Sequence, residues 1–172
     1  MGDKQNSLLR HADVRAAALD DETFSSAVSA FLQIPNGLDG DDHTRYRTAL
    51  DEFLSAEAIE PFEDDFVRIG RELASSLPTN TPVDAVSQVG AVFAVRAQSA
   101  WLGWSKSLEQ PLVEWVSDSR EAARAGDRVR LARVAEDFDA IISSVLAPRR
   151  GASGEVVGDD VTARVMRTTV DG

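Results

Sequence analysis

The chain has no cysteine. That absence excludes a disulfide framework and a thiolate metal site, and it suits a cytoplasmic setting. Histidine is almost as scarce. His11 and His43 are the only two, too few and too far apart for an H-E-x-x-H helix or another metal cluster. Neither a G-x-S-x-G elbow nor a Walker loop occurs. Cations are the minority charge, 18 Lys and Arg against 29 Asp and Glu, for a formal net charge of −11. This balance argues against nucleic-acid binding through a basic surface, because phosphate contacts need clustered Lys and Arg. No apolar stretch approaches the roughly 18 residues of a membrane span; even the run from Val89 to Trp104 is interrupted by Arg96 and Gln98. The N-terminus, Met1 to Asn6, lacks the apolar run of a secretory signal, and Asn6 stands where a myristoylation signal needs Ser or Thr. These absences predict a soluble, cytoplasmic protein with no membrane attachment.

What is present is helical pattern. The 43% hydrophobic content is that of a globular chain, and 172 residues suffice for one core. An Ala-rich stretch from Asp13 to Asp20 predicts a short helix, and Phe24, Val28, Phe31 and Leu32 predict another turn or two. Ile34-Pro35-Asn36-Gly37 ends any helix there. Ile59, Phe62, Phe66, Ile69 and Leu73 recur at alternating threes and fours, one buried face of a helix entering near Pro61. Thr81-Pro82-Val83-Asp84 predicts a helix start, with Thr81 as cap, and Gly90 is a break point within that helix. Further helices are predicted from about Ser105 to Gly126, from Asp127 to Pro148, and from Asp159 or Asp160 to Arg167. Only Ser7-Leu8-Leu9 has a strand-like look, so the fold class is all-α with about seven helices.

The most informative stretch runs from Leu38 to Leu54. Gly40 closes a turn, Asp41 and Asp42 are suited to capping free N–H groups, and Tyr46, Leu50, Phe53 and Leu54 repeat at helical spacing. His43 and Arg47, four residues apart, lie on one face of the first turns. Two donors near a helix N-terminus can receive a carboxylate or phosphate. On spacing alone, a solvated His and Arg on a surface helix is the better reading of the pattern.

The text Asp39-Gly40-Asp41-Asp42-His43-Thr44-Arg45-Tyr46-Arg47, followed by Phe53-Leu54-Ser55, closely resembles the C-helix of bacterial cytochromes P-450, the haem-thiolate monooxygenases. Leu9 to Ala17 and Phe24-Ser25-Ser26 look like that family's B-helix and the segment after it. Val83 to Val86, Phe93 to Gln98 and Leu102-Gly103-Trp104 are similar to its D–E region. Order and spacing agree from about Ser7 to Gly172, the B-to-H portion of that fold.

The resemblance implies haem as cofactor, with His43 and Arg47 holding its propionates. It implies that Phe31, Ile34 and Leu38, in the loop before the C-helix, line part of a substrate pocket. It also implies that Arg45, on another face of that helix, belongs to a docking surface for a ferredoxin-type electron donor. The family's iron is held by a cysteine thiolate that favours O–O cleavage; this chain lacks that axial ligand and the central oxygen-activating helix. Glu121-x-x-Arg124 fits an E-x-x-R pattern but lies in the wrong region, and an i, i+3 pair on an exposed helix explains it. Asp160 and Thr162 are only superficially like the acid–alcohol pair of the central helix. The expectation is therefore a truncated or split member, inactive alone. It would be a single partial domain over 1–172: a helical body over 7–148, a flexible linker over 149–158, and a short terminal helix and tail over 159–172. A complementary C-terminal half would be its partner. The alternative is a non-catalytic helical interaction protein acting through self-association or partner binding, with the Ile59–Leu73 and Val134–Val145 stripes exposed.

Overall fold

The protein was analysed as a computed structural model that describes residues 7–28 and 33–170. The all-helical class is as the periodicity predicts: among the described residues there are eight α-helices, α3 being a single turn, and no strand beyond one isolated bridge. They are α1 (His11–Ala18), α2 (Gly40–Leu54), α3 (Ala56–Ile59), α4 (Glu63–Ser76), α5 (Ala91–Leu102), α6 (Glu109–Ala125), α7 (Arg128–Leu146) and α8 (Val161–Arg167). The backbone divides into two compact units, Met1–Glu52 with Thr169–Gly172, and Phe53–Thr168.

Within Phe53–Thr168, α4 packs on α5, α5 on α6 and on α8, and α6 on α7. The helices bury the faces their periodicity marks. Ile69 and Leu73 come from α4, Val95 from α5, Leu112 and Ala122 from α6, Val134 and Val145 from α7, and Val161 and Ala163 from α8. Phe53 joins them at 3% exposure, with the Arg164 guanidinium over its ring at 5.4 Å. Trp115 stacks on Phe138 at 4.2 Å between centroids and donates its indole N–H to the Val134 carbonyl at 2.9 Å, pinning α6 to α7. The two apolar stripes expected to stand open are therefore largely spent inside this unit. Ile69, Leu73, Val134 and Val145 are buried, while Ile59, Phe62, Phe66, Phe138, Ile141 and Ile142 are half-buried.

Helix ends follow local chemistry, with three corrections. The helix expected to start at Thr81 starts after Asp84, whose Oδ1 accepts from the N–H groups of Val86 (2.8 Å) and Ser87 (2.9 Å). Gln88 Oε1 accepts from Asp84 N at 2.8 Å, closing a reciprocal cap. A carboxylate is a stronger acceptor than the Thr hydroxyl three residues earlier, so the start moves. These amides hold the Asp84 carboxyl below its ordinary value, the Ser87 N–H first. Gly90 is not a break but the junction between a π-helical segment, Ala85–Gly90, and α5. Glu121 pairs with Arg130 of α7 at 2.8 Å, which also holds Asp118 at 2.8 Å, rather than with Arg124.

The ends of three helices meet at Arg149. Its Nε donates to Asp160 Oδ1 and Oδ2 (2.9 and 3.0 Å), Nη2 to Asp160 Oδ2 (2.6 Å) and to the Gly103 carbonyl (2.7 Å), and Nη1 to the Val145 carbonyl (2.6 Å). Asp160 in turn caps α8 by accepting from Ala163 N at 2.8 Å. Beside them, Trp104 Nε1 donates to Thr162 Oγ1 (2.8 Å), and that hydroxyl donates to the Leu102 carbonyl (2.7 Å). Gly103 is required here. It ends α5 at φ +75, and a Cβ would lie 2.6 Å from the Cβ of Asp160. Residues 149–158 turn back on themselves, with Val157 N donating to Arg149 O at 2.9 Å and Gly151 N to Glu155 O at 2.8 Å.

Arg149→Met should destabilise the chain by about 2–4 kcal/mol, because Asp160 and two carbonyls lose their donor together. Arg149 holds the Asp160 carboxyl below its ordinary value of 3.8. The stabilisation is therefore present in full above that value and is lost as pH falls through the lowered one. Thermal unfolding of both proteins from pH 7 downward should show the gap closing in acid; a constant gap would contradict this assignment.

Candidate functional site

Helix α2 begins on Gly40, whose positive φ of +56 suits a residue without Cβ. Its first N–H is satisfied from far upstream, by Asp21 Oδ2 at 3.0 Å. The expectation that Asp41 or Asp42 caps the helix is corrected. Both lie inside the first turn, and Asp42 accepts instead from Arg45 Nη2 at 2.7 Å. Asp39, just before the helix, accepts from Ser25 Oγ (2.5 Å) and Ser26 N (2.8 Å), tying the preceding loop to the helix start. These bonds hold its carboxyl below the ordinary value, the Ser25 hydroxyl first and the Ser26 amide next. The turn expected at Phe24 and Val28 has no helix over the described part, which ends at residue 28; Phe31 lies outside the described residues.

His43 is half-buried and lines an open hollow of about 540 Å³ together with Leu38, Asp21, Ser26 and Asp39. Arg47, one turn on, is exposed and donates its Nε to Asp51 Oδ1 at 2.7 Å. Its two Nη nitrogens have no hydrogen-bond partner among the described residues, and neither has the His43 ring. Arg47 does not line the His43 hollow. Arg45 lines a different one, with Thr44, Thr48, Ala49, Thr169 and Val170. Of the predicted lining residues, Leu38 shares the His43 hollow and Ile34 is 47% exposed without lining it. The structure thus brings His43 and Leu38 together; Arg47, four residues along the same helix, does not line their hollow, and Arg45 lines another.

Three carboxylates shape this region without having been singled out. The Arg47–Asp51 pair is an i, i+4 contact that spacing alone could have found. Asp21 and Asp39 act across nineteen and fourteen residues, and no local pattern announces them. Among the described residues no group of three or more His, Cys, Asp or Glu is arranged to hold a metal ion. No helix there is long and apolar enough to cross a membrane. A porphyrin's propionates ask for donors. The Nη edge of Arg47 and the His43 ring are donors of that kind without partners among the described residues; of the acids lining the His43 hollow, Asp21 and Asp39 are occupied by N–H and O–H donors, and Asp41 lines it too.

No family model matches the chain. It is 37% identical over 101 residues to proteins named beta-dihydromenaquinone-9 omega-hydroxylase from Mycobacterium tuberculosis and Mycobacterium bovis. The match covers 56% of this chain, and only 21% of the length of those relatives.

Because Asp39 is ionised when it holds the loop, the Ser26 amide resonance should titrate with a midpoint below the ordinary aspartate value of 3.8. An NMR titration in which Ser26 shifts at or above that value would show that the tie is not formed.

Proposed function

We propose that this chain is part of a haem-dependent hydroxylase and forms the side of the cofactor site that receives the propionates. The observation that carries the reading is the 37% identity to hydroxylases over a stretch that covers 56% of the chain. It is supported by the H-x-x-x-R spacing on α2 and by the donor groups that His43 and Arg47 leave without partners among the described residues. The chemistry such a cofactor supplies when bound is activation of dioxygen for insertion into a C–H bond.

The chain's own part is binding and orientation. Arg47 offers a planar fork whose Nε is steadied by Asp51, and His43 offers a second donor one helical turn away. Neither is an axial ligand. With no cysteine in these 172 residues, a thiolate on the iron would come from sequence outside them. Leu38 and Ile34 are proposed as apolar wall for an organic substrate. Arg45, exposed and paired with Asp42, is proposed as a contact for a ferredoxin-type donor. The association reading rested on open apolar stripes; these are buried or half-buried within Phe53–Thr168, which leaves it without support.

Haemin titrated into the 172-residue chain tests the reading. Arg47→Ala should weaken binding about tenfold. That is the low end of the roughly 1.5–3 kcal/mol for a charged hydrogen bond, as suits an exposed guanidinium. His43→Ala should weaken it by a few-fold. Equal affinity for wild type and both variants would mean that haemin adheres to apolar surface and that α2 holds no propionate.

A further inference from the structure

A second hollow, of about 260 Å³, lies wholly within Phe53–Thr168, bounded by α4, α5 and the turn leading into α6. Its apolar wall is made by Ile69 of α4, Ala100 of α5 and the ring of Trp104. Trp104 is fixed in place by its indole N–H, which Thr162 accepts at 2.8 Å. Another wall is a closed ion pair, Arg96 Nη2 to Glu109 Oε1 at 2.6 Å, both groups about one-third exposed. Arg68, on the rim, is likewise spent on Asp65 and Glu72 at 2.6 and 3.1 Å. Two lining groups are not spent. Lys106 has no acidic partner among the described residues. Ser99, 8% exposed, has a buried hydroxyl with no hydrogen-bond partner among the described residues.

A buried hydroxyl without a partner is costly, and native interiors rarely leave one so. An ammonium without an acidic partner among the described residues, lining the same hollow as Trp104, Ile69 and Ala100, adds the second half of a recognition pattern: apolar surface with one positive charge. The hollow sits just under the roughly 300–1,000 Å³ range of pockets for drug-sized molecules, so one or two fused rings are the size it takes. We propose that this hollow binds a small aromatic monocarboxylate. Its ring lies against Trp104, Ile69 and Ala100, and its carboxylate meets Lys106 and the Ser99 hydroxyl. The site includes neither His43 nor Arg47 and shares no residue with the His43 hollow.

The test uses naphthoate as probe on the full 172-residue chain. Binding is read from tryptophan fluorescence and from the Trp104 indole resonance, with the Trp115 resonance as internal control. Naphthoate should shift Trp104 and leave Trp115 in place. Lys106→Glu, a change at an exposed position, should weaken binding tenfold or more, Lys106→Arg should retain it, and the neutral naphthyl methanol should bind at least tenfold more weakly than the acid. Ser99→Ala should weaken binding several-fold while raising the melting temperature of the unliganded protein, since the unpaired hydroxyl is gone. Naphthoate binding that ignores the Lys106 charge, equal binding of acid and alcohol, or a lower melting temperature in Ser99→Ala would each overturn the proposal. Arg47→Ala should leave naphthoate affinity unchanged, so this result and the haemin result fail independently.

Discussion

The guanidinium of Arg149 is the point on which the larger helical unit depends. One side chain, 12% exposed, donates to a carboxylate and to two carbonyls, and so joins the C-terminal end of α5, the C-terminal end of α7 and the N-terminal end of α8. Helix C-termini expose unsatisfied carbonyls that carry partial negative charge, and a cation placed between two of them answers both. Asp160 completes the arrangement from the opposite direction, since the same carboxylate that balances Arg149 also caps α8. Gly103 has no side chain because Asp160 occupies the space where a Cβ would stand.

This knot also decides which residues are left for chemistry. Asp160 and Thr162 are the residue types of an acid–alcohol catalytic pair, but here every strong bond they make is internal. Asp160 is held by Arg149, and Thr162 passes a hydrogen bond from Trp104 to the Leu102 carbonyl. Glu121 is similarly spent on Arg130. By contrast, His43 and the Nη edge of Arg47 on α2, and Lys106 with Ser99 in the hollow lined by Trp104, are among the donors left without a hydrogen-bond partner among the described residues. The first group is proposed for the carboxylates of a cofactor and the second for a small carboxylate ligand.

Much of the helical layout was legible because amphipathic spacing and end chemistry are local. The stripe from Leu131 to Val145, the stop at Gly126 and the cap at Asp127 all stand as the pattern predicts. The start of the π-helical segment leading into α5 did not, because two signals three residues apart competed and the charged acceptor Asp84 prevailed over Thr81. The fate of the apolar stripes was also hidden. Spacing shows that a face is apolar but not which neighbour covers it; here α5 packs on α4 and α6 on α7. The His43–Arg47 pair was readable from four-residue spacing. The carboxylates that set its surroundings were not, because Asp21 bonds α2 from nineteen residues upstream and Asp39, next to the helix, takes its partners from the distant Ser25 and Ser26.

The central claim is that α2 recognises the acidic tails of a porphyrin rather than its apolar ring. Affinity of the chain for zinc protoporphyrin and for its dimethyl ester, measured side by side by fluorescence, separates the two. The ester keeps the ring and loses both negative charges. The free acid should bind at least about tenfold more tightly, from the charged hydrogen bonds that only it can accept. Equal affinity for acid and ester would contradict the claim.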